Sequence, residues 1–211
     1  MLFKETVDPK TLDLIRELLA DEHLENFVLV GGTALSLQVG HRISVDIDLF
    51  NDKAFDAPTL ATHLFSHYKT ENLKTLKNGI FCFINDIKVD IISHQYPWVQ
   101  PAVTAEGVRM VSLKDLSAMK LNAIVQNGSR LKDFVDLYVL LNYLSFQDMY
   151  ASYEKKYPDT NRAVVQNAVL YHEDIKPARI DYVRMDLSFE EIKARLREAV
   201  LSPSSVFFKK R

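Results

Sequence analysis

The chain of 211 residues is 47% apolar, which is enough for a hydrophobic core and for one or two modest domains. Its formal charge of -2 argues against a protein that coats nucleic acid non-specifically. No apolar run is long enough to span a membrane, and the N-terminus lacks the pattern of a secretion signal. With Cys82 as the single cysteine, no intrachain disulfide can form. We therefore expect a cytoplasmic protein with no membrane partner.

The two signs of charge are unevenly distributed along the chain. Residues 151–211 carry 12 basic and 9 acidic side chains, whereas residues 1–150 carry 14 and 19. A basic C-terminal part could meet phosphates, although a bias this small more often marks a solvated surface. The final FFKKR could contact RNA, but we interpret it as a frayed tail.

The first half of the chain has the pattern of a mixed α/β domain. Asp8-Pro9 is a typical helix start, and Asn78-Gly79 and Asn85-Asp86 are typical of tight β-hairpin turns. Apolar spacing then predicts the individual elements. These are helices over 9–23, 33–39 and 57–68, and strands over 26–30, 43–50, 71–77, 79–84 and 87–93.

From Ser112 onwards the apolar spacing is helical. Ser112 and Asp115 resemble a capping box in which Asp replaces the usual Glu. Helices are predicted near 112–127, 130–143, 145–156, 161–172 and 188–201. The expected fold class is therefore α+β, with an α/β domain over 1–108 and a helical domain over 109–211.

Two carboxylates in the predicted strand "ISVDIDLF" point to a metal site. Asp46 and Asp48 lie two positions apart, so both leave the same face of the strand, opposite the apolar residues. Like charges this close become favourable when cations lie between them, and paired carboxylates suit Mg²⁺ or Mn²⁺. Asp90 is a similar lone acid in the apolar strand "IKVDIIS", so it is a plausible third ligand.

A glycine turn precedes this strand. Gly31 and Gly32 end an apolar run and lead into a predicted helix, where bare backbone N–H groups can bind phosphate oxygens. Thr33 adds a hydroxyl, and Arg42 could neutralise a phosphate. A phosphate-binding turn beside a two-metal acid site is what nucleotidyl transfer needs.

In this order, the glycine pair, Asp46-x-Asp48 and Asp90 resemble the nucleotidyltransferase superfamily related to DNA polymerase beta. Within it, three segments closely resemble the AbiEii/AbiGii toxin family of bacterial type IV toxin-antitoxin and phage abortive infection systems. They are "GGTALSLQVGHRISVDIDLF", "SLKDLSAMKLNAI" and "RLKDFVDLYVLL". The resemblance covers about residues 25–145 and implies a nucleotidyltransferase-type mixed sheet. Many superfamily members have Gly-Ser where this chain has Gly31-Gly32, and Thr33 could replace the serine hydroxyl.

The resemblance also implies residue roles. Asp46 and Asp48 would hold both metal ions, and Asp90 would hold the catalytic ion and help to deprotonate the acceptor hydroxyl. Gly32 and Thr33 would contact the triphosphate of the NTP.

A second cluster lies in the predicted helices. Lys120 is surrounded by apolar residues, and Lys132, Asp133 and Asp136 lie near the start of the next helix. One interpretation is a structural one, in which acids complement the helix dipole and Lys120 reaches the surface. The resemblance implies instead that these residues line the other wall of the active-site cleft, with the lysines on phosphates and Asp136 orienting a lysine or the acceptor.

A further pair, His63 and His67, is spaced four apart on a predicted helix and could bind zinc. No Cys or further His lies close by in the sequence, so we interpret them as surface residues.

The expected activity is transfer of a nucleoside monophosphate from an NTP to a hydroxyl, with Mg²⁺ or Mn²⁺. The resemblance implies an RNA acceptor, such as a tRNA 3′ end, and a toxin restrained by a cognate antitoxin protein. One alternative is a small-molecule acceptor, as for antibiotic nucleotidyltransferases. Another is a nucleotide-binding regulator without turnover.

Overall fold

A computed structural model describes residues 1–207 of the protein, and residues 208–211, with most of the FFKKR run, lie outside the described residues. The chain forms two compact units. The first, here called the sheet unit, comprises Met1–Pro97 and Pro101–Val111. The second, the helical unit, comprises Trp98–Gln100 and Ser112–Arg211.

The sheet unit is built on seven strands in a mixed sheet. The strands are β1 (Val28–Leu29), β2 (Ile47–Asn51), β3 (Thr70–Leu76), β4 (Gly79–Ile84), β5 (Ile87–Ser93), β6 (Val103–Ala105) and β7 (Val108–Met110). Their order across the sheet is β3-β4-β5-β2-β1-β7-β6. The β2–β5 and β1–β7 pairs are parallel and the other pairs are antiparallel. The helices of this unit are α1 (Pro9–Ala20), α2 (Gly31–Val39) and α3 (Ala57–His67).

Turn chemistry explains the three consecutive strands β3, β4 and β5. β3 and β4 meet at Lys77-Asn78, and β4 and β5 meet at Asn85-Asp86. Asn85 and Asp86 both have positive φ, at 51° and 65°, which matches the tight hairpin turn that the sequence predicts. Both predicted hairpins are present in the sheet.

The central strands β2 and β5 bury one face. Ile47 and Leu49 of β2 pair with Val89 and Ile91 of β5, and all four side chains are fully buried. Because side chains alternate along a strand, the residues between them leave the sheet on its other face. The buried apolar side chains on one face of each strand thus fix the register of the polar side chains on the other face.

Some elements differ from the predicted ones. β2 begins at Ile47, later than predicted, and α2 begins at Gly31. The sequence analysis also missed the hairpin of β6 and β7, which turns at Glu106-Gly107 with φ of 50° and 83°. β7 pairs with β1 and so belongs to the sheet.

The helical unit comprises five helices: α4 (Leu113–Gln126), α5 (Leu131–Leu140), α6 (Phe146–Lys156), α7 (Arg162–Leu170) and α8 (Phe189–Leu201). α4 packs against α5, α6 and α7, and α8 packs against α5 and α7. Ser188 and Glu191 form a reciprocal capping box at the start of α8. None of the helices within residues 1–207 is both long and apolar enough to cross a membrane.

Asp115 organises the start of α4, but not through the predicted capping box. Its backbone N–H donates to Ser112 Oγ at 3.0 Å, as expected of an N-cap. Its carboxylate instead accepts from the backbone N–H groups of Val99 and Gln100, at 2.8 and 3.1 Å. Lys156 Nζ lies 3.2 Å from the same carboxylate, and both side chains are fully buried. The ion pair joins α4 to α6, and the two backbone hydrogen bonds join the short segment Trp98–Gln100 to α4.

Candidate active site

The register of β2 and β5 places two predicted metal ligands side by side. Asp48 is paired directly with Asp90 across these parallel strands, and both side chains leave the face opposite the apolar residues. Both are half-buried. Residues that are directly opposite in adjacent strands have Cβ atoms about 5 Å apart, so the two carboxylates are close neighbours.

Asp46 lies just before β2, in extended chain rather than in the strand, and its side chain is exposed. Its backbone is fixed by Thr33, whose Oγ1 lies 2.5 Å from the carbonyl oxygen of Asp46 and 2.9 Å from Ser44 Oγ. A carbonyl oxygen can only accept, so Thr33 donates its one proton to the carbonyl oxygen of Asp46. Thr33 Oγ1 in turn accepts the proton of the Ser44 hydroxyl. Thr33 is only 1% exposed. Its hydroxyl is thus engaged in positioning the residue that carries the first acid.

Gly31 lies against Asp48. It has a φ of +71°, which disfavours any residue with a side chain, and it begins α2. A Cβ added at Gly31 would collide with the carboxylate of Asp48. The residue before it, Val30, is the N-cap and provides no side-chain cap. The start of α2 therefore presents backbone N–H groups next to an acid of the cluster.

Gly32 lies against Arg42. A Cβ added at Gly32 would collide with a guanidinium nitrogen of Arg42 and lie 3.1 Å from Ser44 Oγ. Arg42 is 3% exposed, and its Nη1 donates to the carbonyl oxygen of Ile43 at 3.1 Å. A serine here, as in many superfamily members, would require the guanidinium to move. Gly32 in this chain is thus explained by the buried arginine, which brings positive charge to the first turn of α2.

Lys88 is a residue of this cluster that the sequence analysis missed. It lies two positions before Asp90 on β5, so both side chains leave the same face, and its Nζ is 2.5 Å from Asp90 Oδ2. Burial alone would lower the pKa of Lys88, but the hydrogen bond to Asp90 and the charges of Asp90, Asp46 and Asp48 raise it. One ammonium group therefore feels all three acids. A lysine two residues from a strand acid was the signal available in the sequence.

The second predicted cluster lies in the helical unit and is held by ion pairs. Lys120 on α4 places its Nζ 2.7 Å from Asp133 Oδ1 and 2.7 Å from Asp136 Oδ2, both on α5. The side chains of Lys120, Asp133 and Asp136 are 9%, 2% and 0% exposed. Arg130 Nε lies 3.5 Å from Asp133 Oδ2, so Asp133 has a second positive group beside it. Lys132, in contrast, is exposed.

Comparison with known proteins identifies the family. A model of the nucleotidyl transferase AbiEii toxin family, described as a type IV toxin-antitoxin system, matches residues 13–203. The chain belongs to this family. The AbiEii chain is also 29% identical over 157 residues to the protein aq_aa25 of Aquifex aeolicus (strain VF5), covering 72% of this chain and 76% of that relative.

Two crystal structures from Helicobacter pylori have a similar fold. One, of a candidate nucleotidyltransferase, matches with a TM-score of 0.59 and 19% identity over 92% of both chains. The other, JHP933, matches with a TM-score of 0.57 and 18% identity, over 92% of this chain and 89% of that one. The fold class predicted for this AbiEii family member, a nucleotidyltransferase-type mixed sheet with helices, is confirmed.

The contact of Gly31 with Asp48 gives a first prediction. Gly31→Ala should lower the free energy of unfolding more than Gly107→Ala, by at least about 1 kcal/mol, because alanine there meets a carboxylate. Both glycines have positive φ, but a Cβ at Gly107 meets nothing closer than 4.0 Å. Gly107→Ala alone should cost roughly 1–2 kcal/mol of backbone strain. Urea denaturation measures both. Equal losses would mean that Asp48 moves aside freely.

The position of Lys88 gives a second prediction. Lys88→Met should tighten Mn²⁺ binding by roughly five-fold, or about 1 kcal/mol, because a cation bound by the acids no longer competes with the ammonium group. Calorimetry with Mn²⁺ alone measures this. Lys74→Met, which removes an exposed lysine from β3, is the matched control and should leave the affinity unchanged. Equal Mn²⁺ affinities of Lys88→Met and Lys74→Met would contradict this prediction, because they would show that the Lys88 ammonium group does not compete with the bound ion.

Proposed function

We propose that this protein transfers a nucleoside monophosphate from an NTP to a hydroxyl group, with Asp46, Asp48 and Asp90 as the metal-binding acids. The observation that carries the proposal is the pairing of Asp48 with Asp90 on adjacent parallel strands, with the start of α2 against Asp48. Nucleotidyl transfer requires acids for metal ions and, next to them, donors for phosphate oxygens. In this proposal the acids supply the first, and the start of α2, next to Asp48, supplies the second.

The acid cluster fits a divalent cation. Asp90 Oδ1 is buried and has no hydrogen-bond partner among the described residues, while Oδ2 is held by Lys88. A buried carboxylate oxygen without a donor is costly, and a cation would satisfy it. Oxygen ligands of this kind suit Mg²⁺ or Mn²⁺. The bound ions would neutralise charge on the reacting phosphates and favour ionisation of the attacking hydroxyl.

The residues of the chain then have separate roles. Asp90 accepts the proton of the acceptor hydroxyl, and Lys88 Nζ, 2.5 Å from its Oδ2, holds the carboxylate in place for this step. The N–H groups of Gly31 and Gly32 donate to the triphosphate, and Arg42 adds positive charge beside them. Thr33 acts as a positioning residue that holds the backbone of Asp46, rather than as a triphosphate ligand as first expected.

The helical cluster is assigned a supporting role in the same reaction. Lys120, held by Asp133 and Asp136, is a fixed cation of the kind that stabilises charge on a departing pyrophosphate. Lys132 is exposed, so its long side chain can adopt several conformations and contact a phosphate of the NTP or of the acceptor.

The acceptor is proposed to be RNA, such as a tRNA 3′ end, and the biological role that of a cytoplasmic toxin restrained by an antitoxin protein. The support is the toxin and type IV system named for the matching family. Modification of an RNA needed for growth, or for phage multiplication in abortive infection, would explain toxicity.

The experiment is incubation of the protein with each α-labelled NTP, Mg²⁺ or Mn²⁺ and total RNA. Label in RNA that requires the divalent ion and prefers one NTP is the expected result. Label in small acceptors alone, with RNA unmodified, would favour the antibiotic-type alternative. NTP binding measured by calorimetry with no label in any acceptor would favour the silent regulator and contradict the proposal.

A further inference from the structure

Three polar side chains in the sheet unit form a cluster that shares no residue with the acid cluster. Asp21 is the C-cap of α1, His23 lies in the short 3₁₀ helix Glu22–Leu24, and His63 lies in the C-terminal half of α3. One ligand atom from each lies within 4.8 Å of the other two. Because His23 and His63 are forty residues apart, the sequence analysis found no partner for His63 and treated it as a surface residue.

Asp21 is the centre of this cluster. His63 Nε2 lies 2.7 Å from Asp21 Oδ2, and His23 Nδ1 lies 3.3 Å from Asp21 Oδ1. Tyr68 donates its hydroxyl to Asp21 Oδ2 at 2.8 Å, which fixes the orientation of the carboxylate. The side chains of Asp21 and His63 are 11% and 14% exposed, whereas His23 is 51% exposed. The cluster is therefore anchored on one side and open to solvent on the other.

Electrostatics favour a cation at this place. Asp21 ends α1, and His63 lies towards the end of α3, so the negative ends of two helix dipoles are near the cluster. The carboxylate of Asp21 accepts from the backbone N–H of His23 and from the hydroxyl of Tyr68, so a negative charge is held in a fixed position there.

We propose that Asp21, His23 and His63 form a zinc site. Two imidazole nitrogens and one carboxylate oxygen are the ligand types that Zn²⁺ prefers over Mg²⁺, and water would complete a four-coordinate centre. The proposed ion is a different class of metal from the hard cation assigned to Asp46, Asp48 and Asp90.

One of the two ligand separations already fits such a centre, whereas His63 Nε2, 2.7 Å from Asp21 Oδ2, is in a hydrogen bond that an ion would have to open. Ligands at about 2.0 Å from a tetrahedral Zn²⁺ lie about 3.3 Å apart, which matches the separation of His23 Nδ1 from Asp21 Oδ1. The rings of His23 and His63 are stacked, with centroids 3.8 Å apart and planes 18° apart. The His23 ring must therefore rotate so that its lone pair points towards the ion, and its exposure to solvent leaves room for that rotation.

Occupancy would link the end of α1 to α3. Asp21 and His23 follow α1 directly, and His63 belongs to α3, so one ion would connect two helices that are distant in sequence. Since an ion that binds only the folded state stabilises it by mass action, thermal stability should rise with Zn²⁺ concentration.

The test is calorimetric titration of the metal-stripped chain of 211 residues with ZnCl₂. Asp48→Asn serves as the background, so that Zn²⁺ bound by the acid cluster does not mask the second site. We expect one ion per chain and a loss of affinity of at least about 10-fold in His23→Gln and in His23→Gln/His63→Gln. His67→Gln is the matched control, because His67 stacks on His63 but directs Nδ1 to the backbone oxygen of His63. It should bind Zn²⁺ as the background does.

Circular dichroism shows which variants fold. If the double variant does not fold, the Zn²⁺ affinity of His23→Gln alone tests the site, because His23 is exposed and its substitution should not disturb the core. Substitution of Co²⁺ should give the visible absorption of a four-coordinate ion in the background protein and lose it in His23→Gln. Equal Zn²⁺ affinity in the background and in His23→Gln, or a six-coordinate Co²⁺ spectrum, would overturn the zinc site. Neither result would bear on nucleotidyl transfer, which depends on other residues.

Discussion

Asp48→Asn is expected to lower kcat/KM for nucleotidyl transfer by roughly 10²–10³-fold, while the protein remains folded. Asp48 is paired with Asp90 and contacts Gly31, so it is common to the proposed metal and phosphate sites. Asparagine keeps the shape of the side chain but removes the charge that binds a divalent ion, and loss of one preorganised electrostatic group costs about 10²–10³ in rate. Labelled NTP and RNA at saturating Mg²⁺ measure the change.

The same substitution should barely alter stability in metal-free buffer. Asp46, Asp48 and Asp90 all act on Lys88, so the neutral side chain of Asp48→Asn loses the attraction to that lysine but also the repulsion from the other two acids. The free energy of unfolding should therefore stay within about 1 kcal/mol of the wild-type value, whereas Mn²⁺ binding falls sharply.

A matched control is Asp86→Asn, in the turn before β5. Asp86 is exposed and has a φ of 65°, which asparagine tolerates, so this variant should transfer nucleotide at the wild-type rate. Transfer by Asp48→Asn within ten-fold of wild type would contradict the proposed acid site. A large loss in the free energy of unfolding of Asp48→Asn, with Mn²⁺ affinity unchanged in the folded protein, would instead make Asp48 a structural residue.

The sheet around the acids could be predicted because its signals are local. Alternating apolar residues placed Asp48 and Asp90 on the polar faces of their strands, and Asn85-Asp86 predicted the turn that leads into β5. The parallel pairing of β2 with β5 then aligns the two acids. Local patterns fix faces and turns, so they also fix which side chains can meet.

Other features depend on contacts between distant parts of the chain. The reason for Gly32 is the guanidinium of Arg42, and the reason for the orientation of the Asp115 carboxylate is the backbone of Val99 and Gln100. The β6–β7 hairpin was missed because each of its strands has only three residues, too few for a periodic pattern. Such contacts become visible only once the chain has folded.

The second large effect is expected for Lys120→Met, which should first of all lower the free energy of unfolding. Lys120 bridges Asp133 and Asp136, which are almost fully buried, so removing the lysine leaves two carboxylates without their shared partner. Breaking a buried ion pair on one side typically costs about 3–5 kcal/mol. Urea denaturation should show this loss, and reduced transfer by this variant alone could not distinguish a catalytic lysine from a structural one.

Lys120→Met combined with Asp133→Asn and Asp136→Asn separates these roles. The triple variant has no charged side chain at any of the three positions, so no uncompensated buried charge remains there. We therefore expect most of the stability to return. If Lys120 stabilises charge on the departing pyrophosphate, transfer at saturating NTP should remain about 10²-fold or more below wild type, because the fixed cation is still missing. Recovery of both stability and transfer would show that the cluster only supports the helices, and the acids of the sheet unit would then carry the reaction without it.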